Sequence, residues 1–318
     1  MEHIHRIDEG AHMDEVIEWW YFNAIFDENC DLPGWSLIQP FTLARGLMEN
    51  IHFVLIPPGK PVIDLSWHGL PAGNIETSEK GVDVRFGKNF IRGKYPRWST
   101  HMEREWEGKP YAVDLEYQSQ VDSQFRIYQA GNSRLNHYAV FRYGVEGTVT
   151  VAGKKHKVKG VGYHEHMFGL IDPASSRGWI WYCVPRTQND GLAINLALGV
   201  APDDSIFHKF FYFTEDGINY NEFVNFSFEI EEERELEGNR YPHRFRLREK
   251  KKGGKLDARI IRAENPFARV HQSPFAKIAF VSGAARMEGK MTWKGKTYDL
   301  AGPSLGSAFL IVYEKPKE

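Results

Sequence analysis

Cysteine is nearly absent from this chain: Cys30 and Cys183 are the only two in 318 residues. A disulfide framework needs more of them in a shorter chain, so both are expected as reduced, buried thiols of a cytoplasmic protein. A charge excess of either sign is missing as well. Lys and Arg number 40 against 42 Asp and Glu, a formal net charge of −2. Nucleic-acid binders ordinarily carry a basic excess or stripe, so no nucleic-acid partner is expected. No apolar run approaches the roughly 20 residues of a membrane helix, which leaves only peripheral membrane contact open. Residues 1–14 are polar and rich in His and acids, without the apolar stretch of a signal peptide. Phosphate-binding glycine loops, the zinc-protease helix motif and the nucleophile elbow are missing too, so no nucleotide or other cofactor is expected.

What is present points to strands. Val82, Val84 and Phe86 alternate with Asp83 and Arg85; Tyr111, Val113, Leu115 and Tyr117 alternate with Ala112, Asp114 and Glu116. Phe245 and Leu247 alternate with Arg244, Arg246 and Arg248. Such period-two patterns mark strands with one wet face. Turn signals separate them, among them Pro57-Pro58-Gly59, Ala152-Gly153-Lys154 and Lys252-Gly253-Gly254. No long stretch carries a helical period. Many short strands at regular spacing predict an all-β chain of sandwich or barrel type.

The chain also repeats itself. Residues 145–160 read VEGTVTVAGKKHKVKG and residues 287–302 read MEGKMTWKGKTYDLAG. Glu146/Glu288, Gly147/Gly289, Thr150/Thr292, Gly153/Gly295, Lys154/Lys296 and Gly160/Gly302 are identical in the two. Trp19-Trp20-Tyr21 near the start is echoed by Trp179-Ile180-Trp181-Tyr182. A duplication is expected, with residues 1–175 and 176–318 as its halves and the turn-rich Pro173–Gly178 as the seam. After the repeat, the first half continues Tyr163-His164-Glu165-His166, whereas the second continues Pro303-Ser304-Leu305-Gly306. A need common to both halves does not explain a His-Glu-His found in one. A function of the first half does.

Two runs are candidates for chemistry. In a strand, His164 and His166 share one face while Tyr163 and Glu165 share the other. Two His at this spacing suit a metal, yet no third His or Cys is placed beside them by sequence, so no metal is expected. The same run also suits acid–base work by Glu165, or a polar closure of a barrel. Glu18-Trp19-Trp20-Tyr21 reads either as a carboxylate in an aromatic pocket or as a core strand, and Trp179, Trp181 and Tyr182 share that ambiguity.

Together these runs resemble the AttH-like and carotenoid-hydratase superfamily, which typically shows E-W-W-Y and then G-x-x-Y-H-D-H-x-W-G. His137-Tyr138-Ala139-Val140 and Val145-Glu146-Gly147, leading into the second motif, are similar to it as well. The resemblance implies two consecutive lipocalin-like antiparallel β-barrel domains. It also implies hydratase or cyclase-type chemistry on an apolar, often isoprenoid, small molecule. This chain departs from the pattern at Glu165, where Asp is usual, and at Phe168, where Trp is usual. A Tyr and an Asp that follow the motif in the carotenoid hydratases are replaced here by Ala193 and Asn195.

The mechanism expected on that basis is protonation of a double bond by Glu165, kept protonated by burial and oriented by His164 or His166, with Glu18 as a further catalytic candidate. Trp19, Trp20, Tyr21, Trp181 and Tyr182 would wall the developing cation. Tyr163, Phe168, Trp179 and Asn195 complete the expected ligand contacts. The competing readings are a lipid or pigment carrier of lipocalin type, which needs only an apolar cavity, and a metalloenzyme built on His164 and His166.

Overall fold

The computed structural model describes residues 9–172, 174–272 and 276–313. Among them every regular element is a strand and every strand pairing is antiparallel, as the period-two patterns require. No helix of the described residues is long and apolar enough to cross a membrane. The chain divides into two compact units, Met1–Ile171 and Asp172–Glu318. Pro173, at the head of the expected seam, lies outside the described residues. Asp172 opens the second unit by organising its first turn. Its carboxylate accepts from Ala174 N–H at 3.0 Å and Ser175 O–H at 2.6 Å, and its carbonyl accepts from Ser175 and Ser176 N–H.

The two units are built to one plan. In the first, strand Ile17–Phe26 is hydrogen-bonded between Ser36–Ala44 and Lys154–Leu170, followed by Ser133–Val151, Lys109–Ser119 and Arg97–Trp106. In the second, Gly178–Val184 lies between Ala193–Val200 and Gly302–Tyr313, followed by Ala276–Trp293, Gly254–Arg262 and Asn239–Lys251. The repeated hairpin turns match in detail. Ala152 and Gly153 have φ of 50° and 88°; Lys294 and Gly295 have 49° and 84°. Two successive positive φ values make the tight turn whose twist suits antiparallel strands.

The identical glycines Gly147 and Gly289 also do one job. Each has positive φ, and a Cβ there would meet a neighbouring carbonyl, Asp114 O at 2.0 Å or Asp257 O at 2.1 Å. Only glycine allows that approach.

Each sheet curls around its own core. In the second unit Tyr182, Ile194, Leu196, Phe211, Phe245 and Met291 meet in a fully buried cluster. In the first, Phe22, Trp98, Tyr117, Tyr143 and His164 pack together with almost no exposure. A bulge shapes this second group of rings. Val140 lies opposite His164 and Tyr143 opposite Gly162, so one extra residue is accommodated in Ser133–Val151. It lets Tyr138 and Tyr143, five apart, both face His164. Neither cysteine is in a disulfide; Cys183 is buried as expected, whereas Cys30 is only half-buried.

Candidate functional site

Strand Lys154–Leu170 places the motif, and its partner Ile17–Phe26 places the aromatic run beside it. Directly opposed pairs are Glu18 with Phe168, Trp20 with His166 and Phe22 with His164. Between them alternate Trp19 with Met167, Tyr21 with Glu165 and Asn23 with Tyr163. Opposed residues share a face, so the first set points into the core of the unit and the second to the opposite face of the sheet. Two expectations fall to this alternation. His164 and His166 do not orient Glu165, and Trp19 and Trp20 do not form one wall. Trp19 Nε1–H donates to Glu165 Oε1 at 3.0 Å, whereas Trp20 Nε1–H donates to the Glu9 carbonyl at 3.0 Å.

On the face opposite the core, Glu165 is the centre of a buried network. Tyr163 O–H donates to its Oε2 at 2.6 Å, and His137 Nε2 lies 3.1 Å from the same oxygen. The other nitrogen of His137, Nδ1, lies 2.9 Å from the hydroxyl of half-buried Tyr128. Burial pushes the Glu165 carboxyl up, but the hydrogen bond and charge of His137, with Trp19 and Tyr163, outweigh it and hold it below its ordinary value. The expected protonated acid is therefore an ionised one. Tyr21, opposed to Glu165 across the strand pair, and Phe141 are both ring neighbours of Tyr163.

The carboxyl that does keep its proton is Glu9, on the core face. Removal from water pushes it up to about 8, against the pull of Tyr138, the Tyr95 N–H and Trp98. Across from it, His164 is driven down to about 3, again mainly by burial, while its Nδ1–H donates to the Tyr21 carbonyl at 3.0 Å. Glu9 Oε1 and His164 Nε2 face each other at 3.9 Å. With these shifts the pair is a neutral acid and a neutral imidazole, not an ion pair.

A third group closes the end of the core face. Glu18 and His166 have no exposed side-chain surface, and Glu18 Oε1 lies 2.9 Å from His166 Nε2 and 3.1 Å from His12 Nδ1. Arg45 holds the other oxygen of Glu18, and its Nε–H donates to the His12 carbonyl at 3.2 Å. Burial raises the Glu18 carboxyl, yet the hydrogen bonds of His12 and His166 and the charge of His166 bring it down to about 2. Phe168 stacks on His12, with ring centres 3.5 Å apart.

The remaining expected contacts lie in the second sheet. Tyr182 points into that unit's core, beside Phe245 and under the Arg262 guanidinium. Trp179, Trp181 and Asn195 occupy its other face, Asn195 being opposed to Cys183. Two shallow surface depressions of about 340 and 410 Å³ belong to the first unit. Charged side chains such as Arg92 and Glu116 line both, and neither is lined by a motif residue, so an apolar ligand finds little there.

Sequence reasoning missed Glu9, His12 and Arg45, and quoted His137 without giving it a role. A signal existed for two of them: the His- and acid-rich start contains Glu9 and His12.

No family model and no curated protein sequence matches the chain. Solved structures do. An AttH candidate from Nitrosomonas europaea aligns over 94% of this chain and 94% of its own, with TM-score 0.72 and 16% identity. Kievitone hydratase from Nectria haematococca aligns over 99% of this chain and 94% of its own, with TM-score 0.66 and 14% identity. CghA, solved with Sch210972, aligns over 96% and 90%, with TM-score 0.57 and 9% identity. The chain has the lipocalin-like AttH fold: two curled antiparallel sheets in succession.

Proposed function

We propose that this protein catalyses proton transfer to a double bond of a hydrophobic small molecule, leading to hydration or ring closure. Glu165, His137, Tyr163 and Tyr128 would handle the proton. The observation that carries this reading is the convergence of Trp19, Tyr163 and His137 on the buried Glu165 carboxylate, with His137 bridging it to Tyr128. An imidazole between a buried carboxylate and an accessible hydroxyl is an arrangement that moves protons: the carboxylate fixes the ring and stabilises its protonated form. That one structural neighbour is a hydratase by name agrees with this chemistry.

The proton passes from His137 Nδ1 through the Tyr128 hydroxyl to the ligand, leaving neutral His137 beside ionised Glu165. Tyr21 and Phe141 offer ring faces to the developing cation. Water, or a second double bond of the same molecule, then attacks. The proton released by the attacking water, or lost from the cyclised cation, returns through Tyr128 to His137. An imidazolium is ordinarily a weaker acid than a carboxylic acid, so a route of this kind fits a polarised double bond better than an isolated one.

The test is incubation of the purified chain with a panel of polyene and isoprenoid lipids, followed by mass analysis. Products heavier by one water identify a hydratase, and products of unchanged mass with altered retention a cyclase. Both must vanish in Glu165→Gln and His137→Gln. Ligands bound but unaltered across the panel, equally in wild type and variants, would replace this reading with a carrier.

A further inference from the structure

The geometry points to a divalent transition-metal site formed by His12 Nδ1, Glu18 Oε1 and His166 Nε2. It lies on the core face, opposite the Glu165 network, and does not rest on the function proposed above.

The three ligand atoms lie within 4.8 Å of one another, with Glu18 Oε1 2.9 Å from His166 Nε2 and 3.1 Å from His12 Nδ1. Bonds of about 2.0–2.2 Å in a tetrahedral shell separate ligand atoms by roughly 3.4 Å, so Glu18 need draw back from each histidine by only a few tenths of an ångström, while the two histidine nitrogens, within 4.8 Å of each other, close in by at most about 1.4 Å through a turn of the part-exposed His12 ring. Two imidazoles and one carboxylate are the donor set that suits zinc and its neighbours.

Glu18 Oε1 is also crowded by nitrogens. Three nitrogens converge on it: the backbone N of His12 at 3.0 Å, His12 Nδ1 and His166 Nε2. A carboxylate oxygen offers two lone pairs, so three full hydrogen bonds overload it. If either ring nitrogen lacks its proton, its lone pair faces that of the oxygen. A cation placed between them removes this repulsion.

The surroundings fit such a site. Arg45 grips Glu18 through the other oxygen and His12 through its carbonyl, which fixes two of the three ligands. His166 is clamped between the rings of Trp20 and Phe168. His12 is 24% exposed, which gives the ion a way in and leaves room for water as a fourth ligand. The expectation of no metal rested on the lack of a third ligand near His166 in sequence. His12 and Glu18, from the preceding segment and the neighbouring strand, supply what the run itself lacks.

The Arg45 cation beside Glu18 lowers affinity without removing it, so one ion per chain with dissociation in the micromolar range, about 10⁻⁶ M, is expected. Bound metal should tie residues 9–16 to the sheet and raise the melting temperature. The untagged full-length chain, stripped with chelator, is titrated with Zn²⁺ by calorimetry and with Co²⁺ by visible absorption. One equivalent should bind, with the strong bands of a four-coordinate Co²⁺ site, and Zn²⁺ should raise the melting temperature. His12→Ala and His166→Ala should each weaken binding about 100-fold or more and abolish the thermal shift, because they remove ligands outright. His12 lies outside the strands, so His12→Ala decides the matter if His166→Ala does not fold. Absence of one-equivalent binding, or binding that survives His12→Ala, overturns the proposal.

Discussion

His137 Nε2 lies 3.1 Å from Glu165 Oε2, across two strands and 28 residues of sequence. Two groups that share one proton act as a unit, and their losses do not add. Glu165→Gln and His137→Gln should each lower turnover by two to four orders of magnitude, about 10²–10⁴-fold, and the double variant should lower it no further. Tyr128→Phe should cost less, because water can replace its hydroxyl. Additive losses in single-turnover rates would show that Glu165 and His137 do not work together.

Glu9 sets a pH dependence of stability. The folded chain keeps its proton up to about pH 8, whereas the ordinary value is 4.5. Its contribution is therefore complete below pH 4.5, falls as pH rises through that window and is gone above pH 8. The steepest slope from this one group is about −1.4 kcal/mol per pH unit. Glu9→Gln, which cannot ionise, should gain on the wild type between pH 5 and 8.5 in urea unfolding. Parallel curves for the two proteins would refute the assignment.

Gly147→Ala and Gly289→Ala should be costly alike. At both sites a Cβ would fall 2.0 or 2.1 Å from a carbonyl oxygen on the paired strand, at a φ that disfavours side chains. Each should lose about 3 kcal/mol or more in urea unfolding. A large loss at only one position would mean that the two hairpins are not equivalent.

Arg45→Met leaves Glu18, which has no exposed surface, without its arginine partner. Breaking a fully buried ion pair from one side costs about 3–5 kcal/mol, and with Arg45 21% exposed and His12 and His166 still on Glu18 the loss should fall below that range. Replacing both partners, in Arg45→Met with Glu18→Gln, should recover part of that loss. Denaturant midpoints of the two singles and the double provide the check, and an undisturbed Arg45→Met would mean that the pair contributes little.

The fold was legible because strands announce themselves by alternation and the repeat exposed a common plan. The split of His164 and His166 from Tyr163 and Glu165 was equally legible, being a property of any strand. Assigning His164 or His166 to orient Glu165 ran against that same rule. What sequence did not carry was pairing at a distance. His137 reaches Glu165 because Ser133–Val151 is the neighbouring strand, and Glu9 reaches His164 because residues 9–12 pack against the core face. Nor could composition foretell which acid keeps its proton. Glu9 and Glu165 are both buried with three donors around each, and the charge of His137 beside Glu165 is what separates them.

The bulge between Val140 and Tyr143 sets the phase of the strand on either side. Deleting Phe141 or Arg142 would change the apolar pattern little, yet it would invert one segment relative to the other. Either His137 would turn away from Glu165, or Tyr143 would leave the ring of aromatics around His164. In any alignment of related chains, a one-residue gap at this point is therefore a sharper warning of altered chemistry than a substitution inside the motifs. A relative could keep every motif letter, lose that single residue and carry the same letters on the wrong side of the sheet.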